Sequence, residues 1–134
     1  MPFFKQELLE NCELKGDLNS PAYKLALAKS TSARKYIDDL ISIHKLDAIC
    51  GTTSGLSWCI DIVNGDYDTG FSFSSPAAMA GYPHITVPMG QVHQLPIGFS
   101  FVGTAYSEAE LITLAFGFEA VVNGRIPPKF LPFV

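Results

Sequence analysis

Charge is scarce in this sequence. Asp, Glu, Lys and Arg make up 16% of its 134 residues, where a soluble domain typically carries about 25%. A small domain has much surface per residue and needs charge to cover it. A chain with this little therefore buries part of its outside against something else, either another copy or a missing part of the same protein. The charge that is present sums to -4. Without a basic run or basic residues interleaved with aromatics, a nucleic-acid partner has no support. Long apolar runs are also missing. None approaches the roughly 20 residues needed to cross a bilayer, so no membrane partner is expected. The opening "MPFFKQELLENC" lacks the basic-then-apolar layout of a secretory leader, which places the chain in the cytoplasm.

Cysteine is sparse and odd in number: Cys12, Cys50 and Cys59, with no C-x-x-C. They cannot all pair within the chain and read as three reduced, semi-buried thiols. His44, His84 and His93 show no metal-type spacing with each other or with the cysteines, so no metal is expected. No Walker loop and no G-x-G-x-x-G is found, and no cofactor is implied.

What is there reads as helices and strands in alternation. Residues 2–15 form a short helix, with Pro2 in the first turn and Gly16 at the end. Ser20-Pro21 opens a long helix whose inner face carries Ala26, Ala33, Ile37, Leu40, Ile41 and His44. Its other side, with Lys24, Lys29, Arg34, Lys35 and Asp38, reads as solvated. "LDAIC" (46–50) is a strand, and a loop of more than 20 residues follows, rich in Gly, Ser, Thr and Asp. The apolar residues of that loop (Trp58, Ile60, Ile62, Val63, Phe71, Phe73) require that it pack against something. Ser75-Pro76 opens a second short helix, closed by Gly81. "HITVPM" and "PIGFSFVG" are two strands joined by a loop at Gly90–Gln94, with Pro88 ending the first and Pro96 opening the second. "SEAELITLAFGFEAVVNG" is a helix with a capping box at Ser107 and Glu110 and a stop at Gly124. Leu111, Leu114, Ala115, Phe118 and Val122 line its inner face. The tail "RIPPKFLPFV" is irregular, because its prolines forbid regular structure. Helices between three strands predict one α/β domain over residues 1–134, its sheet continuing outside the chain.

Candidate chemistry is thin. "GTTSG" (51–55) is not G-x-S-x-G and reads as a strand-end turn. Ser72, Ser74 and Ser75 precede a helix and read as caps, with a minor role toward an anion or carbonyl left open. Asp61, Asp66 and Asp68 sit in the apolar-rich loop, either shaping turns or orienting a substrate. Trp58 is either a buried loop anchor or a pocket wall, for which its large ring and N–H donor are suited. His84 and His93 read as a strand-start residue and a turn residue.

Several stretches together resemble the amidase signature enzymes, a family of amide hydrolases. They are "LDAICGTTSGLSWCIDIVNGD", "SSPAAMAGYPHITVPMG", "LPIGFSFVGTAYSEAELITLAFGFEAVV" and "RIPPKFLP". The preceding "FKQELLENCELKGDLNSPAYKLALAKS" is similar to the helices before that region. The resemblance covers essentially the whole chain in order. Its most specific part is the pairing of A-G-[small or aromatic]-P-x-[IL]-T-[VI]-P-x-G with L-P-[IV]-G. Gln94 departs from the pattern, where Gly is common. The resemblance implies the C-terminal part of a mixed sheet flanked by helices, here about three strands and three to four helices. It also implies catalysis by a Ser–cis-Ser–Lys triad, in which lysine acts through the bridging serine to activate a nucleophilic serine that forms an acyl-enzyme. That triad sits N-terminal of the matched region in the family, and no G-G-S-S-type segment occurs in these residues. The glutamine-hydrolysing amidotransferase branch carries an acidic residue near the position of Phe71. The nearest acid, Asp68, is out of register, so a general amidase acting on a more apolar amide fits better.

The resemblance therefore implies a portion of an amide hydrolase, inactive alone, that contributes sheet and pocket wall for a small-molecule amide, with Trp58, Ile60 and Asp61 as the pocket contacts. The alternative is a non-catalytic, self-associating module derived from an amidase, and thus a homo-oligomer. A self-contained hydrolase using Cys50, Cys59 or Ser54 with a histidine has only the presence of those residues behind it.

Overall fold

The computed structural model describes residues 6–68 and 70–129. The helix expected at 2–15 is α1, Glu7–Glu13, and it is exposed throughout. Its expected first turn at Pro2 lies outside the described residues. It closes at Leu14 rather than at Gly16. Helix α2, Pro21–His44, starts as the sequence dictates: the Ser20 hydroxyl accepts from the Tyr23 amide, and proline occupies the first turn. Its 24 residues make it roughly 36 Å long. Packing is confined to its later turns. Ile37 is buried, and Ala33, Leu40 and Ile41 are half-buried, whereas Ala26 and His44 are exposed, contrary to expectation. Residues 21–29 are exposed throughout.

Strand β1 is Ile49–Thr52, three residues later than "LDAIC" implies. Residues 46–48 instead complete the turn out of α2, whose cap is Lys45 in the left-handed region. Helix α3, Ser75–Ala80, ends at Gly81 with φ 68°, a conformation that glycine adopts without strain. Ser74 stands at its N-cap but makes no capping bond; its hydroxyl meets that of Ser72 at 2.9 Å.

Strands β2, His84–Val92, and β3, Leu95–Val102, form a hairpin longer than expected. The five-residue loop shrinks to His93 and Gln94, both with positive φ (50° and 66°), closed by the Val92–Leu95 pair. This is the two-residue primed turn that matches strand twist, built here without the usual Asn-Gly. Pro88 does not end β2. It lies inside the strand, beside a bulge between Pro88 and Gly90. The Gly103 amide donates to the Pro83 carbonyl, which sets odd-numbered β2 residues toward β3 and even-numbered ones toward the outer edge. The missing N–H of Pro88 therefore faces out and breaks no ladder bond.

The sheet is antiparallel throughout, in the order β1-β3-β2. One face is packed against α4 and the other is packed only in part. On one, Val87, Phe101, Leu111 and Ala115 are buried between the sheet and helix α4, Glu108–Val122. Phe118 of α4 stacks on Phe99 at 4.7 Å between ring centroids and meets Phe101 edge-on at 6.0 Å. On the other face, Val102 and Ile49 pack under Ile37, Ala77 and Ala80 of α2 and α3. Two charges read as solvated serve this second layer. Arg34 donates through Nε to the Ala80 carbonyl at 2.7 Å, and Asp38 accepts from the Tyr82 hydroxyl at 2.8 Å. That bond to an anion raises the Tyr82 pKa.

Helix α4 keeps its expected face except at Val122, which is exposed. Its ends differ. Ser107 makes no capping bond with the helix; its hydroxyl donates back to the Thr104 carbonyl at 2.8 Å, so the capping box with Glu110 does not form. Asn123, not Gly124, supplies the left-handed residue at the C-terminus. Gly124 is needed for another reason: a Cβ there would lie 2.6 Å from the Met89 carbonyl carbon, against the backbone of the β2 bulge. The tail through residue 129 is irregular, as expected, and residues 130–134 lie outside the described ones.

His84 opens β2 and buries its Nε2 with no hydrogen-bond partner among the described residues. Burial lowers its pKa. The unfolded chain therefore takes up a proton more readily than the folded one below the ordinary histidine pKa of about 6.5. Stability should rise with pH through the window below that value and level off above it. Urea midpoints measured across pH 5 to 7.5 should show this rise, and His84→Gln should flatten it; an equal slope in the variant would discard the assignment to His84.

Candidate functional site

The residues singled out by sequence lie on the long connection between β1 and α3. It departs from the sheet at Thr53, whose amide donates to the Gly98 carbonyl at 2.9 Å, and returns at Phe73, whose amide donates to the Thr53 carbonyl at 3.0 Å. Between these anchors the chain forms an extended excursion, pinched by an antiparallel bridge between Ser54 and Ser72. Trp58 is 45% exposed and so is not a buried anchor, and Ile60 is 82% exposed. Ile62, Val63, Tyr67 and Phe71 are also exposed, whereas Phe73, at the loop's return to the sheet, packs as expected, half-buried against the cluster of Ile37, Ala77, Ala80 and Val102.

Asp61 organises the loop. Its carboxylate accepts from the amides of Val63 and Asn64, each at 2.9 Å, and from Asn64 Nδ2 at 3.0 Å. Those bonds, the Asn64 amide first, hold its pKa below the usual carboxylate range. The Asp61 amide in turn donates to Asp66 Oδ1 at 2.8 Å. Asp68 accepts from the Gly70 amide at 2.8 Å. All three acids thus shape turns, and none is placed as an acid–base pair.

A second polar feature lies where the loop leaves the sheet, and sequence reasoning did not select it. Ser100 is fully buried, and its hydroxyl sits 2.7 Å from Thr53 Oγ1 and 2.9 Å from Thr86 Oγ1. The two threonine oxygens are 3.5 Å apart. Helices α2 and α3 cover only the Ile49–Val102 end of this face. Beyond it the sheet turns polar and opens into a depression of about 400 Å³ lined by Thr53, Ser54, Thr86, Pro88, Pro96 and Gly98 among others. The only sequence signal is period-two alternation, which puts Thr86, Ser100 and Thr53 on one face once the register is known.

The cysteines are exposed rather than semi-buried. Among the described residues no group of three or more His, Cys, Asp or Glu side chains is placed to hold a metal. No described serine hydroxyl bonds a lysine, histidine or cysteine side chain; Ser54 Oγ donates only to the neighbouring Gly55 carbonyl. No helix among the described residues is long and apolar enough to cross a membrane.

No protein-family model matches the chain. Individual proteins do. It is 39% identical over 110 residues to the "Probable amidase" of Arabidopsis thaliana, a match spanning 81% of this chain and 18% of that protein. It is 29% identical over 119 residues to a glutamyl-tRNA(Gln) amidotransferase subunit of Pseudothermotoga lettingae, spanning 82% of this chain and 26% of that protein. Among solved structures, the native peptide amidase of Stenotrophomonas maltophilia superposes with a TM-score of 0.83 at 40% identity, over 95% of this chain and 26% of that one. The chain thus spans about a fifth to a quarter of the length of the relatives it matches. The chain belongs to the amidase signature family, as a C-terminal portion of the longer family fold.

Proposed function

We propose that the chain contributes sheet and substrate-pocket wall to a cytoplasmic amide hydrolase that cleaves a carbon–nitrogen amide bond, and that these residues do not catalyse by themselves. One observation carries this reading. The chain exposes 10797 Å² for a mass of 14.6 kDa. A compact domain of that mass exposes about 6,900 Å². That excess is surface open to a packing partner. It includes the apolar loop and much of α1 and α2. The Ser–cis-Ser–Lys machinery of the family would come from an N-terminal part that packs on this surface. There the lysine takes a proton through the bridging serine, the nucleophilic serine attacks the amide carbonyl, the amine leaves with that proton returned to it, and water hydrolyses the acyl-enzyme. Trp58, Ile60 and Asp61 would meet the acyl side of a small, rather apolar amide, with the Asp61 turn setting the loop that presents the two apolar side chains.

The test is an assay of the 134-residue chain with simple aryl and alkyl amides. No turnover is expected. Robust turnover that a serine-directed reagent abolishes would overturn the reading.

A second reading, a non-catalytic module that self-associates, is favoured by the outer face of α4. Ile112 and Phe116 stand exposed there, away from the packed side. Light scattering separates the two. A clean monomer at high concentration that binds no hydrophobic dye eliminates self-association.

A further inference from the structure

We propose that Thr53 and Thr86 form a hydrogen-bonding ledge for the carbonyl oxygen of a peptide-like amide, seated in the open depression between Pro88, Pro96 and the start of the 53–74 loop. The inference rests on the amide-hydrolase reading and adds the polar contact that positions the substrate chain.

Proton counting carries it. Three hydroxyls hold three protons. The Ser100 oxygen is fully buried, and its side-chain partners among the described residues are Thr53 and Thr86 alone. A buried hydroxyl spends its proton on a partner, so Ser100 donates to one threonine and accepts from the other. The threonine that receives the Ser100 proton keeps its own. Among the described residues that proton has only the 3.5 Å contact to the other threonine, at the limit of a hydrogen bond. Both threonines line the depression, so the spare donor faces it.

The backbone is built to allow this. Gly98 pairs with Thr53 on one side and with Pro88 on the other, and a Cβ there would lie 2.5 Å from Thr53 Oγ1 and 2.7 Å from Thr86 Cγ2. Glycine at this position lets the two threonines converge on Ser100. The surrounding walls are apolar, chiefly from Pro88 and Pro96. One uncharged donor in an otherwise apolar, uncharged hollow selects a neutral acceptor on a short apolar chain. An amide carbonyl meets that description, and an anion does not, since no cation among the described residues lines the site.

The experiment is a titration of the chain, labelled at its threonine methyls, with N-acetylglycinamide followed by NMR. Saturable shifts at Thr53 and Thr86 are expected. Either threonine alone can take the Ser100 proton and keep its own free, so Thr53→Val and Thr86→Val should each bind within about twofold, whereas the double variant, which removes both hydroxyls, should weaken binding roughly fivefold, the worth of one net hydrogen bond. Thr86→Ser should bind within about twofold of the unsubstituted chain, because it restores the donor. Binding by the double variant as tight as that of the unsubstituted chain overturns the ledge. Shifts centred on Trp58 that leave both threonines unmoved overturn it too, while the amide-pocket reading stands. No saturable shift anywhere in the chain overturns the ledge and leaves the amide-hydrolase reading to the turnover assay. The shifts in the unsubstituted chain decide the matter even where a valine variant fails to fold.

Discussion

Leu111→Ala is expected to destabilise the chain by about 3 kcal/mol, within the range for emptying a fully buried leucine site. Leu111 is 1% exposed and is the largest fully buried side chain among the described residues. It sits beneath α4 against Val87 and Phe101, the residues that join the helix to the sheet. Its neighbours are anchored. Phe99, Phe101 and Phe118 hold one another in stacked and edge-on pairs, so the cavity cannot easily collapse. Collapse is what lowers the cost at looser sites. Ile112 is the internal control. It lies one residue on, is 59% exposed, and faces away from the sheet. Ile112→Ala should change stability by less than about 0.5 kcal/mol. Urea unfolding followed by circular dichroism compares the two. Equal losses would mean that α4 packs on its other face and that the assigned core is wrong.

Gly98→Val should cost about 3 kcal/mol, by a different mechanism. Nothing is emptied; side chains are forced apart. The new Cβ would press on Thr53 Oγ1 and Thr86 Cγ2, and both are short, β-branched side chains with little room to rotate. Displacing either one breaks its bond to Ser100 and leaves a buried hydroxyl short of a partner. The clash and the lost bond act on the same residues, so the effects should couple. In a Thr53→Ala background, Gly98→Val should cost about 1 kcal/mol less than in the unsubstituted chain. A double-mutant cycle by urea unfolding measures this. Strict additivity would show that Thr53 is not the group that Gly98 accommodates.

The helices illustrate what sequence reaches directly. Ser20-Pro21 marks the start of α2 because capping and proline placement depend on a few adjacent residues. The apolar step along α4 marks its inner face because a helix period is local. Errors arose where a local signal had two uses. Ser107 and Ser74 carry hydroxyls suited to helix caps, yet both bond elsewhere, to the Thr104 carbonyl and to Ser72. Pro88 reads as a strand end until its pairing shows that the missing N–H points to an open edge. His93 and Gln94 adopt left-handed backbone that neither residue type advertises, so the hairpin is longer than its sequence suggests. Of the apolar loop residues expected to pack, Phe73 does so, while Trp58, Ile60, Ile62, Val63 and Phe71 are exposed, and that unmet packing belongs with the large exposed surface of the chain.

The order of elements, most of the inner face of α4, the packed later turns of α2 and the family resemblance through A-G-Y-P-H-I-T-V-P-M-G and L-P-I-G were determined by the sequence alone. They rest on short-range periods, caps and a contiguous motif. The convergence of Thr53, Thr86 and Ser100 was decided only by the tertiary structure. Thr53 is 47 residues from Ser100, and Thr86 is 14 residues from it. They meet because β1 and β2 both pair with β3 in registers that place all three on one face, with Gly98 leaving the space between the threonines. Register is a non-local choice, and a shift of one residue would turn each of these hydroxyls to the opposite face.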